Sequence, residues 1–355
     1  MSYTDPAKLA VVACPGGNVF ADEVITHLKK CYRHKFDNAI TDLSKSYSMS
    51  REDVLSRISF IHNAESLSDM VDGKFRTPKF KVPARFTLFA NGEIKAEIME
   101  SVRGKDIYIV EDVENHLPLV FHGGTRKSLS INDHIMTIFV TVDAVKQAGA
   151  RRITLVIPNY PYSRQHKRKG REGLTASRIG IALETLGVDR ILTLDIHSSE
   201  IGNSFRGMGL ENLHASYQII RQLSKMPEIT GGNFVVVSPD TGAVDRNKFY
   251  ATSFKKPLAL LYKERDYSRV SKDALENNIA EIKLLGNVKG KIVFMADDIL
   301  GTGGTLLKAM TFLKEQGAKS VIAAVSLPLF SGDAVKYFDQ AYSQGLFYRI
   351  IGTNA

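Results

Sequence analysis

The stretch Ile292-Val-Phe-Met-Ala-Asp-Asp-Ile-Leu-Gly-Thr-Gly-Gly-Thr305 contains the pattern that decides the fold of this 355-residue chain. It starts with apolar residues typical of a buried strand and continues through two carboxylates into a turn rich in Gly and Thr. A helical pattern follows at residues 306–314. Because a strand, a short turn and a helix in this order are typical of a β-α-β unit, the segment predicts a parallel sheet with crossover helices.

Short runs rich in Val, Ile and Leu recur along the rest of the chain, and segments of helical length separate most of them. Buried parallel strands have this continuous apolar character. The chain is therefore predicted to be an α/β protein. The further predicted strands lie at residues 9–14, 107–110, 153–157, 191–194, 234–237 and 321–325.

The sequence also repeats itself. Residues 102–113 (VRGKDIYIVEDV) align without gaps on residues 288–299 (VKGKIVFMADDI), and residues 146–153 (KQAGARRI) align on residues 314–321 (KEQGAKSV). Chance similarity between amphipathic segments is the alternative, but two matches in the same order favour a true repeat. We therefore predict two similar domains, each a mainly parallel sheet flanked by helices.

The domain boundary is predicted near residue 210, giving domains of residues 1–210 and 211–355. The segment at about 34–84 does not fit the repeat and is interpreted as an insertion of unknown role. Within it, residues 51–62 have a helical pattern that begins after Ser50, a good N-cap residue. The first copy is also longer than the second at residues 114–130, where we predict a loop.

Composition limits the possible classes of protein. Hydrophobic residues make up 44% and charged residues 24% of the chain, which is typical of an ordered protein. Two cysteines cannot form a disulfide framework in a chain of this length, so a cytoplasmic location is expected. The apolar runs are too short to span a membrane. The net charge of +9 indicates an anionic partner, and the basic stretch at residues 164–171 (RQHKRKGR) suits either nucleic acid or small phosphates.

The strand-to-helix segment has the residue types needed to bind a sugar phosphate. Adjacent carboxylates can accept hydrogen bonds from two sugar hydroxyls. Glycines let backbone N–H groups converge on a phosphate, and Thr hydroxyls and the helix N-terminus add donors. An ordinary capped turn is the alternative, which two Asp, two Thr and three Gly in nine residues make less favourable. The predicted site contains Asp297, Asp298, Gly301, Thr302, Gly303, Gly304 and Thr305.

This segment resembles the loop that binds phosphoribosyl diphosphate (PRPP) in type I phosphoribosyltransferases and in ribose-phosphate diphosphokinases, the PRPP synthetases. Other segments resemble the diphosphokinases specifically, and the resemblance extends over most of the chain from about residue 85. These segments are FANGEI at 89–94, ESVRG at 100–104, ND at 132–133, IPNYPYSRQ at 157–165, LTLDIHSSE at 192–200, VSPDTG at 237–242 and YKER at 262–265.

The resemblance implies an enzyme that transfers the diphosphoryl group of ATP to ribose 5-phosphate, giving PRPP and AMP. It implies that His197 and Asp240 hold Mg²⁺, with Asp240 also beside the ribose. It further implies that Lys263 and Arg265 are catalytic cations at the start of a mobile loop. Since the basic run then lies beside a phosphate site, ATP becomes a better partner for it than nucleic acid.

The residues implied to bind ATP come from two parts of the sequence, and the resemblance assigns one group of them to a neighbouring subunit. A homo-oligomer is therefore expected, with the ATP site shared between subunits. Arg164 and Gln165 are the ATP-binding residues implied within the subunit, and Phe89, Asn91 and Glu93 are those implied to come from the neighbour.

Four departures from the family pattern leave alternatives open, and one of them is the insertion at about 34–84 together with the additional loop at 114–130. Gly301 stands where the family usually has an acidic residue, and His166 replaces an Asp. The chain stops at residues 350–355, where the family pattern continues with a further strand and helix. A non-catalytic regulatory homologue is therefore an alternative to the enzyme. A phosphoribosyltransferase is a weaker alternative, because the repeat and the ATP-side segments argue against it.

Overall fold

The structure is a computed structural model that describes residues 9–61, 70–71, 74–75, 78–168, 170–230, 233–265 and 279–354. The chain divides into two compact units. The first unit consists of the residues up to 192 together with 200–211, and the second consists of 193–199 together with the residues from 212 onward. Among the described residues, no helix is both long enough and apolar enough to cross a membrane.

A five-stranded sheet forms the centre of the first unit. Its order is β1 (Leu9–Ala13), β6 (Asp106–Val110), β9 (Arg152–Val156), β10 (Arg190–Leu194) and β11 (Gly209–Leu213). The first four strands are parallel to one another. The helices are α1 (Asn18–Tyr47), α2 (Arg51–Ile61), α3 (Ile131–Gln147) and α4 (Thr175–Leu186). Three antiparallel hairpins complete the described part: β2–β3 (Met70–Val71, Lys74–Phe75), β4–β5 (Ala84–Leu88, Ile94–Ile98) and β7–β8 (Leu119–Val120, Arg126–Lys127).

A six-stranded sheet forms the centre of the second unit. Its order is β14 (Ile279–Leu285), β13 (Leu258–Arg265), β12 (Phe234–Ser238), β15 (Ile292–Leu300), β16 (Ser320–Pro328) and β17 (Arg349–Gly352). All neighbours are parallel except β14, which is antiparallel to β13. The helices are α5 (Ser216–Leu223), α6 (Pro227–Thr230), α7 (Val244–Phe254), α8 (Gly304–Glu315) and α9 (Ala334–Ser343).

Hydrophobic clusters cover both faces of the second sheet, which explains why its central strands are apolar without interruption. Val235 and Val293 pack on one face with side chains of α8 and α9. Val236 and Phe294 pack on the other face with side chains of α5 and α7. Alternate residues of one strand are thus buried on opposite sides. The predicted α/β class and the parallel sheets flanked by helices are confirmed.

The predicted repeat is visible in the backbone hydrogen bonds. Gly104 N–H donates to Gly149 C=O at 3.0 Å in the first copy, and Gly290 N–H donates to Gly317 C=O at 2.8 Å in the second. Gly149 and Gly317, which are aligned in sequence, both have φ of +84°. Because this left-handed conformation favours glycine, the same residue type is needed at the same turn in both units. The prediction of two similar domains is confirmed.

Part of the segment interpreted as an insertion belongs to the core of the first unit. Helix α1 continues to Tyr47, and its buried Ile40 packs with Val54 of α2. Residues 80–82 lie beside β1, where Val11 N–H donates to Phe80 C=O and Val82 N–H donates to Val11 C=O, both at 2.8 Å. The sequence did not indicate the contacts of residues 80–82, because so short an extended segment shows no alternation of apolar and polar residues.

Two predictions of local structure, the helix at 51–62 and the loop at 114–130, have different outcomes. Helix α2 begins at the predicted position, and Ser50 Oγ accepts a hydrogen bond from Asp53 N–H at 3.1 Å. The predicted last residue of that helix, His62, lies outside the described residues. The predicted loop at 114–130 contains the short hairpin β7–β8.

Glu111 occupies the position in the first copy that Asp297 occupies in the second, and it is fully buried. His134 of α3 donates through Nδ1 to Glu111 Oε1, and Gly17 N–H donates to Oε2 at 3.1 Å. His134 Nε2 lies 3.0 Å from Asn115 C=O, so both ring nitrogens face acceptors. Burial opposes protonation of His134, but the hydrogen bond and charge of Glu111 raise its pKa. We therefore assign an internal ion pair that joins the end of β6 to α3, with Gly17 of the loop after β1 hydrogen-bonded to the same carboxylate.

Breaking this ion pair is predicted to destabilise the first unit. His134→Asn leaves the Glu111 carboxylate buried without a cation, and we expect a loss of about 3–5 kcal/mol in the free energy of unfolding. Glu111→Gln/His134→Asn removes both charges and is expected to recover most of the loss. Urea denaturation followed by circular dichroism measures both variants.

The same pair predicts a pH dependence with a defined sign. The folded-state pKa of His134 is raised, so the pair contributes fully below the pKa of an unfolded histidine, about 6.5. Its contribution is lost as the pH rises through the higher folded-state pKa. Stability should therefore fall more between pH 6 and pH 9 in the parent than in the double variant. Equal pH slopes would contradict the ion-pair assignment.

Candidate active site

The carboxylate pair Asp297 and Asp298 lies within β15, which is longer than the predicted strand at 292–295. The strand continues to Leu300 because Asp297 pairs in register with Val325 of β16, and Leu300 pairs with Pro328. Asp298 N–H donates to Asp297 Oδ1 at 2.9 Å. The pair is thus held by a rigid strand at its carboxyl end, where parallel sheets bind ligands.

The pKa values of the two carboxyl groups are shifted in opposite directions. Burial, the charge of Asp298 and then the charge of Asp240 raise the pKa of Asp297. Burial would also raise the pKa of Asp298, but hydrogen bonds from His197 and Asp297 and the charge of His197 lower it. The pair can therefore present one protonated and one ionised carboxyl group. Such a pair can both donate to and accept from sugar hydroxyls.

His197 and Asp240 contribute to the same end of the second sheet. His197 Nδ1 lies 2.7 Å from Asp298 Oδ2, and 36% of the His197 side-chain surface is exposed. Asp240 follows β12, the strand beside β15, and its Oδ1 accepts from Ala243 N–H at 3.0 Å just before α7. Four predicted site residues, His197, Asp240, Asp297 and Asp298, are thus brought together in the second unit.

The Gly/Thr turn connects β15 to the N-terminus of α8. Gly303 is the N-cap residue with φ of +76°, and its carbonyl accepts from Leu307 N–H at 2.9 Å. The Gly301 carbonyl accepts from Ser331 N–H at 3.1 Å, which anchors the start of the turn. Thr302 and Thr305 are exposed beside the helix N-terminus. Exposed N–H groups and hydroxyls at a helix N-terminus form a suitable site for a phosphate. The predicted helix at 306–314 is α8, which begins two residues earlier.

The residues implied to bind ATP lie on the surface of the first unit. Phe89, Asn91 and Glu93 form the tip of hairpin β4–β5, where Phe89 is 47% exposed and Asn91 Oδ1 accepts from Glu93 N–H at 3.1 Å. Arg164 and Gln165 lie in an exposed turn after β9, in which Gln165 N–H donates to Tyr162 C=O at 2.8 Å.

Lys263 and Arg265 lie in β13, next to β12 in the second sheet. Their backbones pair with Ile282 and Ile279 of β14, and the register shifts between Glu264 and Arg265. The predicted mobile loop after Arg265 falls at residues 266–278, outside the described residues.

Sequence reasoning did not identify two buried polar residues that hold this site. Asn247 of α7 accepts from Ala296 N–H at 2.8 Å and donates to Ala296 C=O at 2.9 Å, which fixes β15 immediately before Asp297. Asp195, two residues before His197, is also buried and hydrogen-bonded. Asp195 could have been found from its position two residues before His197 in the Asp-Ile-His segment. Asn247 could not, because a single Asn in a helical pattern does not indicate a buried contact.

The repeated α/β unit and the carboxylate pair before a Gly/Thr turn define a protein of the phosphoribosyltransferase fold class. Two family models match the chain: "N-terminal domain of ribose phosphate pyrophosphokinase" over residues 57–187 and "Phosphoribosyl transferase domain" over residues 209–346. The chain belongs to the ribose-phosphate pyrophosphokinase family. The predicted family, the enzyme class and the two phosphoribosyltransferase-type domains are confirmed.

Individual relatives agree with this assignment. Ribose-phosphate pyrophosphokinase A of Dictyostelium discoideum is 35% identical over 254 residues, which cover 71% of this chain and 72% of the relative. The ribose-phosphate pyrophosphokinase of Thermosipho africanus is 36% identical over 250 residues, covering 70% and 71% respectively. The crystal structure of phosphoribosylpyrophosphate synthetase from Mycobacterium smegmatis aligns with a TM-score of 0.69 and 26% identity, covering 98% of this chain and 89% of that chain.

Two adjacent glycines of the turn are predicted to respond differently to substitution. A Cβ at Gly303 would lie 2.2 Å from Phe338 Cε2 on a left-handed backbone, so Gly303→Ala should cost more than about 2 kcal/mol in the free energy of unfolding. A Cβ at Gly304 would meet nothing within 4 Å, and Gly304→Ala should change stability by less than about 1 kcal/mol. Urea denaturation of both variants tests this, and equal stabilities would contradict the described turn.

Proposed function

We propose that this chain transfers the diphosphoryl group of ATP to the anomeric hydroxyl of ribose 5-phosphate, giving PRPP and AMP. The observation that carries the proposal is the His197-supported pair Asp297–Asp298, followed directly by the turn at the N-terminus of α8. Hydroxyl-binding carboxylates beside a phosphate-binding turn fit the two ends of a ribose phosphate. Family membership supports the same reaction.

In this proposal the second unit holds the sugar for attack on the β-phosphorus of ATP. The sugar phosphate binds at the residue 301–305 turn, and the sugar hydroxyls bind Asp297 and Asp298. Strand β15 and the start of helix α8 hold these groups, which positions the anomeric hydroxyl. Because diphosphoryl transfer depends mainly on in-line positioning and neutralisation of charge, the preformed site lowers the barrier chiefly by orientation.

We propose that His197 and Asp240 hold Mg²⁺. Magnesium binds proteins through one or two carboxylates together with substrate phosphates, so a cage made only of protein side chains is not required. Metal-ligating histidines usually donate their other ring N–H to a carboxylate, and His197 Nδ1 has this relation to Asp298. His197 would then ligate through Nε2. When bound, the ion would neutralise charge on the phosphates of ATP.

We propose that ATP binds through Arg164 and Gln165 of one subunit and through Phe89, Asn91 and Glu93 of a second copy. Exposure of the aromatic Phe89 at a hairpin tip supports stacking against an adenine outside its own unit. Lys263 and Arg265 would supply cations to the transferred group, as a point charge and a planar fork respectively. A homo-oligomer is part of this proposal.

The proposed location of the reaction is the cytoplasm. It rests on Cys14 and Cys31, both of which are free thiols. Free thiols in an enzyme of this length suit a reducing compartment.

The proposed reaction predicts which products form and which substitution lowers kcat. With ATP, Mg²⁺ and ribose 5-phosphate, we expect equal amounts of AMP and PRPP, measured by anion-exchange chromatography. Lys263→Ala should lower kcat at least 100-fold, because a cation on the transition state is lost, while the Kd for ribose 5-phosphate changes less than threefold. Lys336→Ala, on the exposed surface of α9, is the matched control and should keep full activity.

Two outcomes of this assay would contradict the proposal. Binding of ribose 5-phosphate without formation of AMP would favour the non-catalytic regulatory homologue. Full activity of Lys263→Ala would remove Lys263 from the mechanism but leave the reaction assigned.

A further inference from the structure

Asp195 directly follows β10 and lies two residues before His197. It is 4% exposed and has φ of +42°, a left-handed conformation that few residues other than glycine adopt. Asp and Asn tolerate this conformation better than other side chains. The surrounding contacts must therefore hold the backbone here.

Four donors surround the Asp195 carboxylate, two on each oxygen. His214 Nδ1 at 2.7 Å and Arg246 at 3.1 Å contact Oδ1. Ala215 N–H at 3.1 Å and the hydroxyl of Ser326 donate to Oδ2. A carboxylate has about four lone-pair directions, and these contacts account for all of them. Asp195 is thus committed to protein groups from the residues directly before α5, from α7 and from β16.

The backbone around Asp195 is fixed as well. Asp195 N–H donates to Leu213 C=O at 2.8 Å, and Ile196 N–H donates to Asn212 Oδ1 at 2.9 Å. Ile196 is itself buried. The direction in which the chain leaves Ile196 sets where the next side chain, His197, meets Asp298.

Arg246 links Asp195 to the carboxylate pair. Its guanidinium contacts Asp195, and its positive charge also acts on Asp298.

We propose that Asp195 is a positioning residue that holds His197 against Asp298. Asp195 binds neither substrate nor metal itself, because its lone pairs are used within the protein. The inference rests on the proposed role of His197 as a metal ligand. In the Asp-Ile-His segment, the His would thus bind the metal and the Asp would hold the His in place.

The first test uses Asp195→Asn, which keeps the shape of the side chain and tolerates the left-handed backbone. We expect kcat to fall about 10- to 100-fold, the loss typical when the partner of a ligating residue is removed. The Kd for ribose 5-phosphate, measured by calorimetry without nucleotide, should change less than threefold, because Asp297, Asp298 and the turn remain. The affinity of the protein–ADP complex for Mn²⁺, measured by electron paramagnetic resonance, should fall about tenfold.

The second test is a double-mutant cycle with His197→Ala. If Asp195 acts through His197, Asp195→Asn should cause less than a threefold further loss of kcat and of Mn²⁺ affinity in the His197→Ala background. Asp189→Asn is the matched control, because Asp189 is an exposed carboxylate whose Oδ2 accepts from Ile153 N–H at 2.7 Å in the first unit. That variant should keep parental kcat and Mn²⁺ affinity.

Three results would overturn the inference: parental kcat and Mn²⁺ affinity in Asp195→Asn, losses that multiply in the double variant, or loss of ribose 5-phosphate binding. The third would show that Asp195 supports the whole site rather than His197. If the parent forms no PRPP, the proposed function fails, and the Mn²⁺ measurements alone then decide the role of Asp195.

Discussion

The hydrogen bond between His197 and Asp298 is the interaction on which the site depends. It places a histidine on one carboxylate of a buried pair and lowers the pKa of that carboxylate, whereas the pKa of Asp297 is raised by burial and by the charge of Asp298. Burial of two adjacent carboxyl groups is unfavourable unless one is neutral or compensated by a cation. Asn247 holds the backbone of Ala296 directly before the pair, and α8 begins a few residues after it, so several elements of the second unit fix the position of the two carboxyl groups.

The arrangement of strands could be predicted because each central strand is buried on both faces and is therefore apolar along its whole length. The repeat could be predicted because both copies need glycine at the same left-handed turn, as Gly149 and Gly317 demonstrate. The ends of elements were less predictable. Strand β15 runs past its apolar residues through Asp297 and Asp298, because pairing with β16 continues after the hydrophobic pattern has ended. Residues 80–82 join the core through backbone contacts with β1 that leave no periodic pattern.

The parts of the candidate site that lie close together in sequence could be predicted, and the contacts between residues distant in sequence could not. The carboxylate pair and the Gly/Thr turn lie within nine residues, so their joint purpose can be inferred from spacing alone. Asp195 and Ser326 are 131 positions apart, and Asp195 and Arg246 come from different elements, so no local pattern relates them. Ionisation behaviour was also not predictable, because the opposite shifts of Asp297 and Asp298 arise from burial and from a histidine about a hundred residues away.

The ion pair Glu111–His134 also shows how the two copies differ at one aligned position. At one aligned position, the second copy directs a carboxylate toward the ligand end of its sheet, whereas the first copy covers the equivalent carboxylate with an imidazole and with Gly17. The turns at Gly149 and Gly317 have the same backbone conformation, but the strand is followed by the hairpin β7–β8 in the first copy and by the Gly/Thr turn in the second. The carboxylate of Glu111 is thus enclosed by protein groups and cannot accept a hydrogen bond from a sugar hydroxyl, which leaves this task to the second copy.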